Sequence, residues 1–259
     1  MSQALNLNAD MGEGFGPWQM GNDEALLEVV TSVNVACGWH AGDPEIMRRT
    51  ARVARERGVS LGAHPSFPDL QGFGRRRMAF SADEVESLVA YQVGALIAIA
   101  ALEGSEVTHV KPHGALNNMA AEDFTLASAI TRGVHGISHD LILLAPAASE
   151  LSRAGCDGGL RVANEIFADR AYSDDGSLAP RSQPGAMIHG AEASLAHVMQ
   201  MLKQGALVAL SGKRIPVSID SICVHGDGPD AVATASALRR GLQEAGYALK
   251  TLPQVLSER

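Results

Sequence analysis

The chain has 259 residues, 46% of them hydrophobic, which is enough apolar surface to bury a core and excludes intrinsic disorder. Lysine and arginine number 21 against 29 aspartates and glutamates, a net charge of −8, so there is no basic footprint for nucleic-acid phosphates or an anionic membrane surface. Cys37, Cys156 and Cys223 contain no Cys-x-x-Cys pair and the N-terminus does not read as a signal peptide, so neither a disulfide framework nor a structural zinc site is expected, and the expected compartment is the cytoplasm.

Leu5–Ala9 and Ser32–Ala36 read as the first two strands. Asp43-Pro44 then supplies an N-cap and a proline at the first helical position, Ile46, Thr50, Val53 and Ala54 keep a helical period, and Gly58 supplies the left-handed stop. Val59–Ala63 is the third strand. Ser81 and Glu84 form a capping box that opens a long helix closed by Gly104. Its most apolar stretch, Leu88 to Leu102, carries Gln92 and falls short of the ~20 residues that a bilayer span needs.

Strands follow at Val107–Lys111, Leu141–Ala145, Arg161–Ile166, Ala206–Ser211 and Ile219–Val224, with helical patterns near 122–134, 190–203 and 230–245. Strands separated by helices pair in parallel through right-handed crossovers. Seven or eight such units, with no linker or shift in composition, predict one domain over residues 1–259: an irregular parallel β/α barrel. Two segments, Pro65–Phe80 and Asn164–Ile188, are too long for ordinary connections and read as binding loops; charge alone would also suit a solvated excursion.

The polar residues concentrate at the C-terminal ends of the strands. Asp10 and Glu13 follow the first, His40 the second, His64 the third, His113 the fourth, Glu165 the sixth, and His225 with Asp227 the last. In a β/α barrel all these ends open onto one face. Singly, each has a structural explanation, such as a turn cap or a hydrogen-bonded histidine. Jointly, they predict a shared site. Asp10, His40 and His64 could hold a metal with positions left open for water and substrate. His225-Gly226-Asp227-Gly228-Pro229 runs into a helix whose free N–H groups could take a phosphate or carboxylate, although its aspartates oppose a bare phosphate. Gly205 to Arg214 lacks Walker A spacing, Pro17 stands where a dinucleotide fingerprint needs glycine, and there is no Gly-x-Ser-x-Gly elbow.

Seven segments, taken together, resemble the LamB/YcsF family: residues 5–13 (LNLNADMGE), 34–43 (NVACGWHAGD), 62–69 (GAHPSFPD), 72–76 (GFGRR), 110–116 (VKPHGAL), 165–172 (EIFADRAY) and 222–227 (ICVHGD). The resemblance runs in order through nearly the whole chain. It implies a β/α barrel related to the polysaccharide deacetylases, and the A subunit of an ATP-dependent 5-oxoprolinase that works with subunits B and C, converting 5-oxo-L-proline to L-glutamate.

That chemistry suggests roles for the residue types. An unactivated lactam needs its carbonyl oxygen phosphorylated by ATP before water can attack it. Asp10 or Glu13 would position or deprotonate the water, His40, His64 and His113 would move protons, and Lys111 would neutralise phosphate. Arg76 or Arg170 would grip the substrate carboxylate, with Glu165, Asp169, His225 and Asp227 as further substrate contacts. A divalent ion, either Mg²⁺ with ATP or one bound by the chain, would be the second cofactor. Two other readings stay open: a metal-dependent deacetylase of an N-acylated sugar, and a substrate-binding subunit whose partners carry the chemistry.

Overall fold

The computed structural model describes residues 3–224 and 230–259. The chain runs β1 (Ala4–Met11), α1 (Asp23–Leu27), β2 (Ser32–Ala36), α2 (Pro44–Arg57), β3 (Ser60–His64), α3 (Ala82–Leu102), β4 (Val107–Val110), α4 (Gly114–Glu122) and α5 (Phe124–His135). It continues through β5 (Ile142–Pro146), α6 (Glu150–Asp157), β6 (Arg161–Phe167), α7 (Ala191–Gln204), β7 (Ala206–Val208), β8 (Arg214–Pro216), β9 (Ser221–Val224), α8 (Ala231–Glu244), β10 (Ala248–Leu249) and α9 (Leu252–Ser257).

The strands β1 to β6 pair in parallel in chain order, and β9 closes the ring by pairing with both β6 and β1. The barrel therefore has seven strands, and β10 adds to β1 outside the ring. The predicted strand Ala206–Ser211 is not one of them. Its first part, β7, turns back at once through Gly212, whose φ of 87° suits only glycine, and forms an antiparallel hairpin with β8. An apolar run of that length cannot announce which partner it will take. Four short helices, α1, α4, α6 and α9, were not predicted at all; α4 starts directly at Pro112-His113-Gly114, residues that read as a loop.

Period-2 alternation separates the two faces of β1. Leu5, Leu7, Ala9 and Met11 join the main apolar core with the surrounding helices, while Asn6, Asn8 and Asp10 belong to a hydrogen-bonded polar network with Ser32, Asn34 and Ser221. α9 adds Leu252 to a small separate cluster with Ile142, Leu144 and Ala163. The long helix α3 is apolar because it is a barrel helix: Val85, Leu88, Val89, Val93, Leu96 and Ala100 are buried, with the predicted capping box at its start. Its buried Gln92 takes the backbone N–H of Ser66 (3.0 Å) and donates to the carbonyl of Ser66 (2.8 Å), pinning the loop after β3. By length and composition alone α3 would also be long enough to cross a membrane.

His109 in β4 fits the interior only because Gly62 lies opposite: a Cβ at residue 62 would overlap the imidazole ring. His109 Nε2 donates to Asn34 Oδ1 at 3.0 Å, and its Nδ1 lies 2.9 Å from the Thr108 hydroxyl. Burial, then the charge of Lys111, push its pKa down to about 3. The unfolded chain therefore binds a proton here below about pH 6.5 that the folded chain refuses. Stability contributed by neutral His109 is complete above that pH and is lost as pH falls toward 3, at up to about 1.4 kcal/mol per pH unit. Urea unfolding at pH 7.5 and 5.5 should show the midpoint falling in the wild type and falling less in His109→Gln. Equal pH slopes would remove His109 as the source.

Candidate functional site

Lys111 follows β4 directly, and its ammonium reaches Asp10 Oδ1 at 2.9 Å, Glu165 Oε1 at 3.1 Å and Cys223 Sγ at 3.1 Å. All four residues are buried. Burial works against the lysine charge, but the groups around it, Asp10 foremost, outweigh burial and hold its pKa well above the usual range. Burial raises Glu165 despite the neighbouring ammonium, and Glu165 Oε2 has no hydrogen-bond partner among the described residues. Asn34 Nδ2 donates to Asp10 Oδ1 (2.9 Å) and Asn8 Oδ1 (2.7 Å), and Asn8 Nδ2 donates to Glu165 Oε1 (2.8 Å). With Oδ1 taken up in this way, Asp10 Oδ2 is the oxygen facing His64 Nε2, 3.4 Å away.

His40, His64 and His113 meet in three dimensions although 73 positions separate the outer two. His40 stacks on His113 with centroids 3.9 Å apart, and His64 stands edge-on to both. Gly74 makes room for this packing: a Cβ there would stand 2.9 Å from both His40 Cβ and His113 Cδ2, and its φ of 63° is left-handed. The preceding Phe73 also has a positive φ, 54°, a conformation that costs about 1–3 kcal/mol in a non-glycine residue. In that conformation its carbonyl lies 2.8 Å from His113 Nε2.

Hydrogen-bond arithmetic then constrains the protons. The carbonyls of Lys111 and Phe73 can only accept, from His64 Nδ1 (2.6 Å) and His113 Nε2 (2.8 Å). His64 Nε2 and His113 Nδ1 face each other at 3.0 Å, a third contact that also needs a hydrogen. Two neutral imidazoles carry two protons, and three contacts need three. Burial, then His64, hold His113 well below the usual histidine range, and burial, then His113, do the same for His40. The facing lone pairs therefore call for a shared proton or a cation.

The donor set fits a cation. Glu13, His40, His64 and His113 each offer a ligand atom, all within 4.8 Å of one another, and both ring nitrogens of His40 lack a partner among the described residues. Glu13 Oε1 lies 3.7 Å from His113 Nδ1 and 4.0 Å from His40 Nε2, too long for hydrogen bonds. Of the metal set expected from sequence, Asp10 with His40 and His64, the two histidines belong to this cluster with Glu13 and His113, while Asp10 has one oxygen held by Lys111 and Asn34 and the other 3.4 Å from His64 Nε2.

Residues of this cluster line a cavity of about 580 Å³ walled by the loop after β6, helix α4 and the β5–α6 connection, with Arg75 and Arg77 added from the loop after β3. Asp10, Glu13, His64, Lys111, His113 and Arg170 all line it. Arg76 does not: its guanidinium forks onto Asp69 within its own loop, through Nε at 2.8 Å and through Nη2, so it turns away from the site. Lys111 is spoken for by two carboxylates and is better placed to fix Asp10 than to meet a phosphate. Asp169 is not part of the cavity lining, while Glu165 lies below it, paired to Lys111. His225 and Asp227 fall outside the described residues, as does the anion site expected there. Arg75, Arg181, Asn8 and Asn34 were not expected as site residues from the sequence, although Arg75 stands in the charged run of the loop after β3. The alternation of Leu5, Leu7 and Ala9 with Asn6, Asn8 and Asp10 was the signal for the inward-facing asparagines.

Fold and site define a parallel β/α-barrel protein with a histidine and carboxylate cluster at its mouth. The barrel is also that of the catalytic domain of a peptidoglycan N-acetylglucosamine deacetylase from Eubacterium rectale, with a TM-score of 0.52 at 10% identity, covering 97% of this chain and 89% of that one, a likeness of fold alone. More particularly, the chain belongs to the LamB/YcsF family, whose model matches residues 5–257. It is 56% identical to an Azoarcus protein named as the A subunit of 5-oxoprolinase, over 97% of this chain and 98% of that protein. A crystal structure of a lactam utilization protein from Thermus thermophilus superimposes with a TM-score of 0.90 at 40% identity, covering 96% of this chain and all (100%) of the other.

Titrating the metal-free chain with Zn²⁺ or Mn²⁺ should give one bound ion per chain, abolished in His64→Ala and His113→Ala. Absence of binding to the wild type would assign the facing nitrogens to a shared proton instead.

Proposed function

We propose that this chain is the A subunit of a cytoplasmic 5-oxoprolinase that, with subunits B and C, hydrolyses 5-oxo-L-proline to L-glutamate at the expense of ATP. The observation that carries this reading is the 56% identity, over almost the full length of both chains, to a protein named as that component of the enzyme. The site supports it with a polar, water-handling cluster in a cavity large enough for a small lactam.

Transfer of the γ-phosphoryl group of ATP to the lactam oxygen gives an imidate phosphate. Water then adds to the carbon, losing a proton to a base, and the ring C–N bond breaks as the nitrogen takes a proton. The acyl phosphate that results is hydrolysed by a second water to glutamate and phosphate. Asp10 Oδ2, held by the Lys111 and Asn34 bonds to its other oxygen, or Glu13 is the base. The His64–His113 couple, one proton short of its contacts, accepts the proton and returns it to the leaving nitrogen. His40 packs the couple from one face. Arg170 stays a substrate contact, and Glu165, by pairing with Lys111, a positioning group. A divalent ion on Glu13, His40, His64 and His113 would, when bound, polarise a carbonyl or lower the pKa of water.

The test is 5-oxoproline-dependent ATP hydrolysis, measured with this chain alone and after B and C are added. Negligible turnover alone and clear turnover on mixing are expected; full activity of the single chain would sink the requirement for partners. In the assembled enzyme, Asp10→Asn, His64→Ala and His113→Ala should each lower turnover by at least ~10²-fold. Their effects should be strongly non-additive, since the three groups serve one reaction. Small, additive losses would leave these residues structural.

A further inference from the structure

Four arginines also line this cavity. Arg75 and Arg77 reach it from the loop after β3, and Arg170 and Arg181 from the loop after β6. Arg170 is only 5% exposed; its Nη2 donates to the Ala179 carbonyl at 2.8 Å, but its Nε has no partner among the described residues. His197 fixes the segment from behind through the Arg170 carbonyl, 3.0 Å from its Nε2. Burial and then the charge of Arg181 weigh against the Arg170 cation, which Asp169 offsets only in part.

Among the described residues, no rim carboxylate pairs with Arg170 or Arg181. Glu122 stands 4.0 Å from Arg77, Glu150 pairs with Arg153, and Asp175 accepts from the backbone N–H (2.9 Å) and hydroxyl (2.7 Å) of Ser177. A buried guanidinium with an unmet N–H, repelled by a second cation that lines the same cavity, is costly unless an anion joins them. The volume of about 580 Å³ also exceeds what one five-membered lactam fills and lies within the ~300–1,000 Å³ of sites for larger ligands. A carboxylate satisfies one guanidinium edge; a phosphoryl dianion has three peripheral oxygens and enough charge for two or three.

We propose that Arg170 and Arg181, flanked by Arg75, form a subsite for a phosphoryl group, so that this chain receives a phosphorylated ligand and not the lactam alone. The 5-oxoprolinase reading enters only in naming the two sources of that group, the phosphates of ATP or a phosphorylated lactam handed over by the partner subunits.

Calorimetric titration of the isolated chain with inorganic phosphate, with ATP and with 5-oxoproline tests the subsite. Loss of one charged hydrogen-bonding partner corresponds to about tenfold or more in affinity. Phosphate binding should weaken by at least about that factor in Arg170→Gln and Arg181→Gln. It should be unchanged in Arg132→Gln, which removes a surface ion pair with Glu86, and 5-oxoproline binding should be spared in Arg181→Gln and Arg132→Gln. Should Arg170→Gln fail to fold, as judged by circular dichroism, Arg181→Gln on the exposed rim still decides. ATP competing with phosphate makes the nucleotide the source; phosphate binding without such competition makes it the phosphorylated lactam. Phosphate affinity that is absent, or equal in wild type and variants, overturns the subsite, as does loss of 5-oxoproline binding alone, which would make the arginines a carboxylate clamp. Failure of the mixing assay would overturn the 5-oxoprolinase reading and leave these binding results standing.

Discussion

A buried ammonium must be answered by negative charge, and Lys111 imposes that requirement at the heart of the barrel. Desolvating one such ion costs several kcal/mol unless partners stand within hydrogen-bonding reach. Asp10 and Glu165 supply them from β1 and β6, strands that become near neighbours only because β9 closes the ring between them. Asn8 bridges the same closure, donating to Glu165 and accepting from Asn34, which in turn holds Asp10. Barrel closure and charge neutralisation are one constraint. The geometry of the candidate site inherits it, because the oxygen of Asp10 facing His64 is the one that Lys111 and Asn34 do not use.

Where local chemistry settles conformation, the sequence was readable. Ser32–Ala36 is a strand with the predicted ends, and Asp43 and Gly58 bound α2 as their cap chemistry requires. Where the partner settles conformation, it was not. Ala206–Ser211 has a strand's composition, but only the tight turn at Gly212 decides that it pairs with β8 and not with the barrel. The two-turn helices α4 and α6 are too short to show a period, and the glycine that opens α4 reads as a loop until Gly74 is seen packed against it.

The candidate site was legible in its membership and not in its wiring. Strand-end position was enough to single out Asp10, Glu13, His40, His64 and His113, because a parallel barrel delivers every such end to one face, whereas Lys111 was named only for the chemistry the resemblance implied. Nothing in spacing could say that Glu13 groups with the three histidines while Lys111 pairs with Asp10. The arginines show the same limit. In the run Arg75-Arg76-Arg77, neighbours point in different directions, and Asp69 captures the middle one while its flanking residues line the cavity. Arg181 sits in a loop whose path is set by bridges such as Arg170 to Met187 and Tyr172 to Leu178, contacts that no local pattern encodes.

Two unmet demands among the described residues belong to the same cavity. At His64 and His113, lone pairs face one another and need a proton or a cation; at Arg170, a buried N–H needs an acceptor. Selection for stability alone would remove both, since each costs free energy in the empty protein. Together they give the cavity groups that can accept protons and a group that can receive negative charge. A reaction in which water gives up a proton while charge builds on a departing oxyanion would use both, with the protein dipoles already in place. The strain at Phe73 belongs to the same arrangement: its carbonyl, turned toward His113 by a backbone conformation that non-glycine residues avoid, claims the ring's hydrogen and so leaves the other nitrogen bare toward His64.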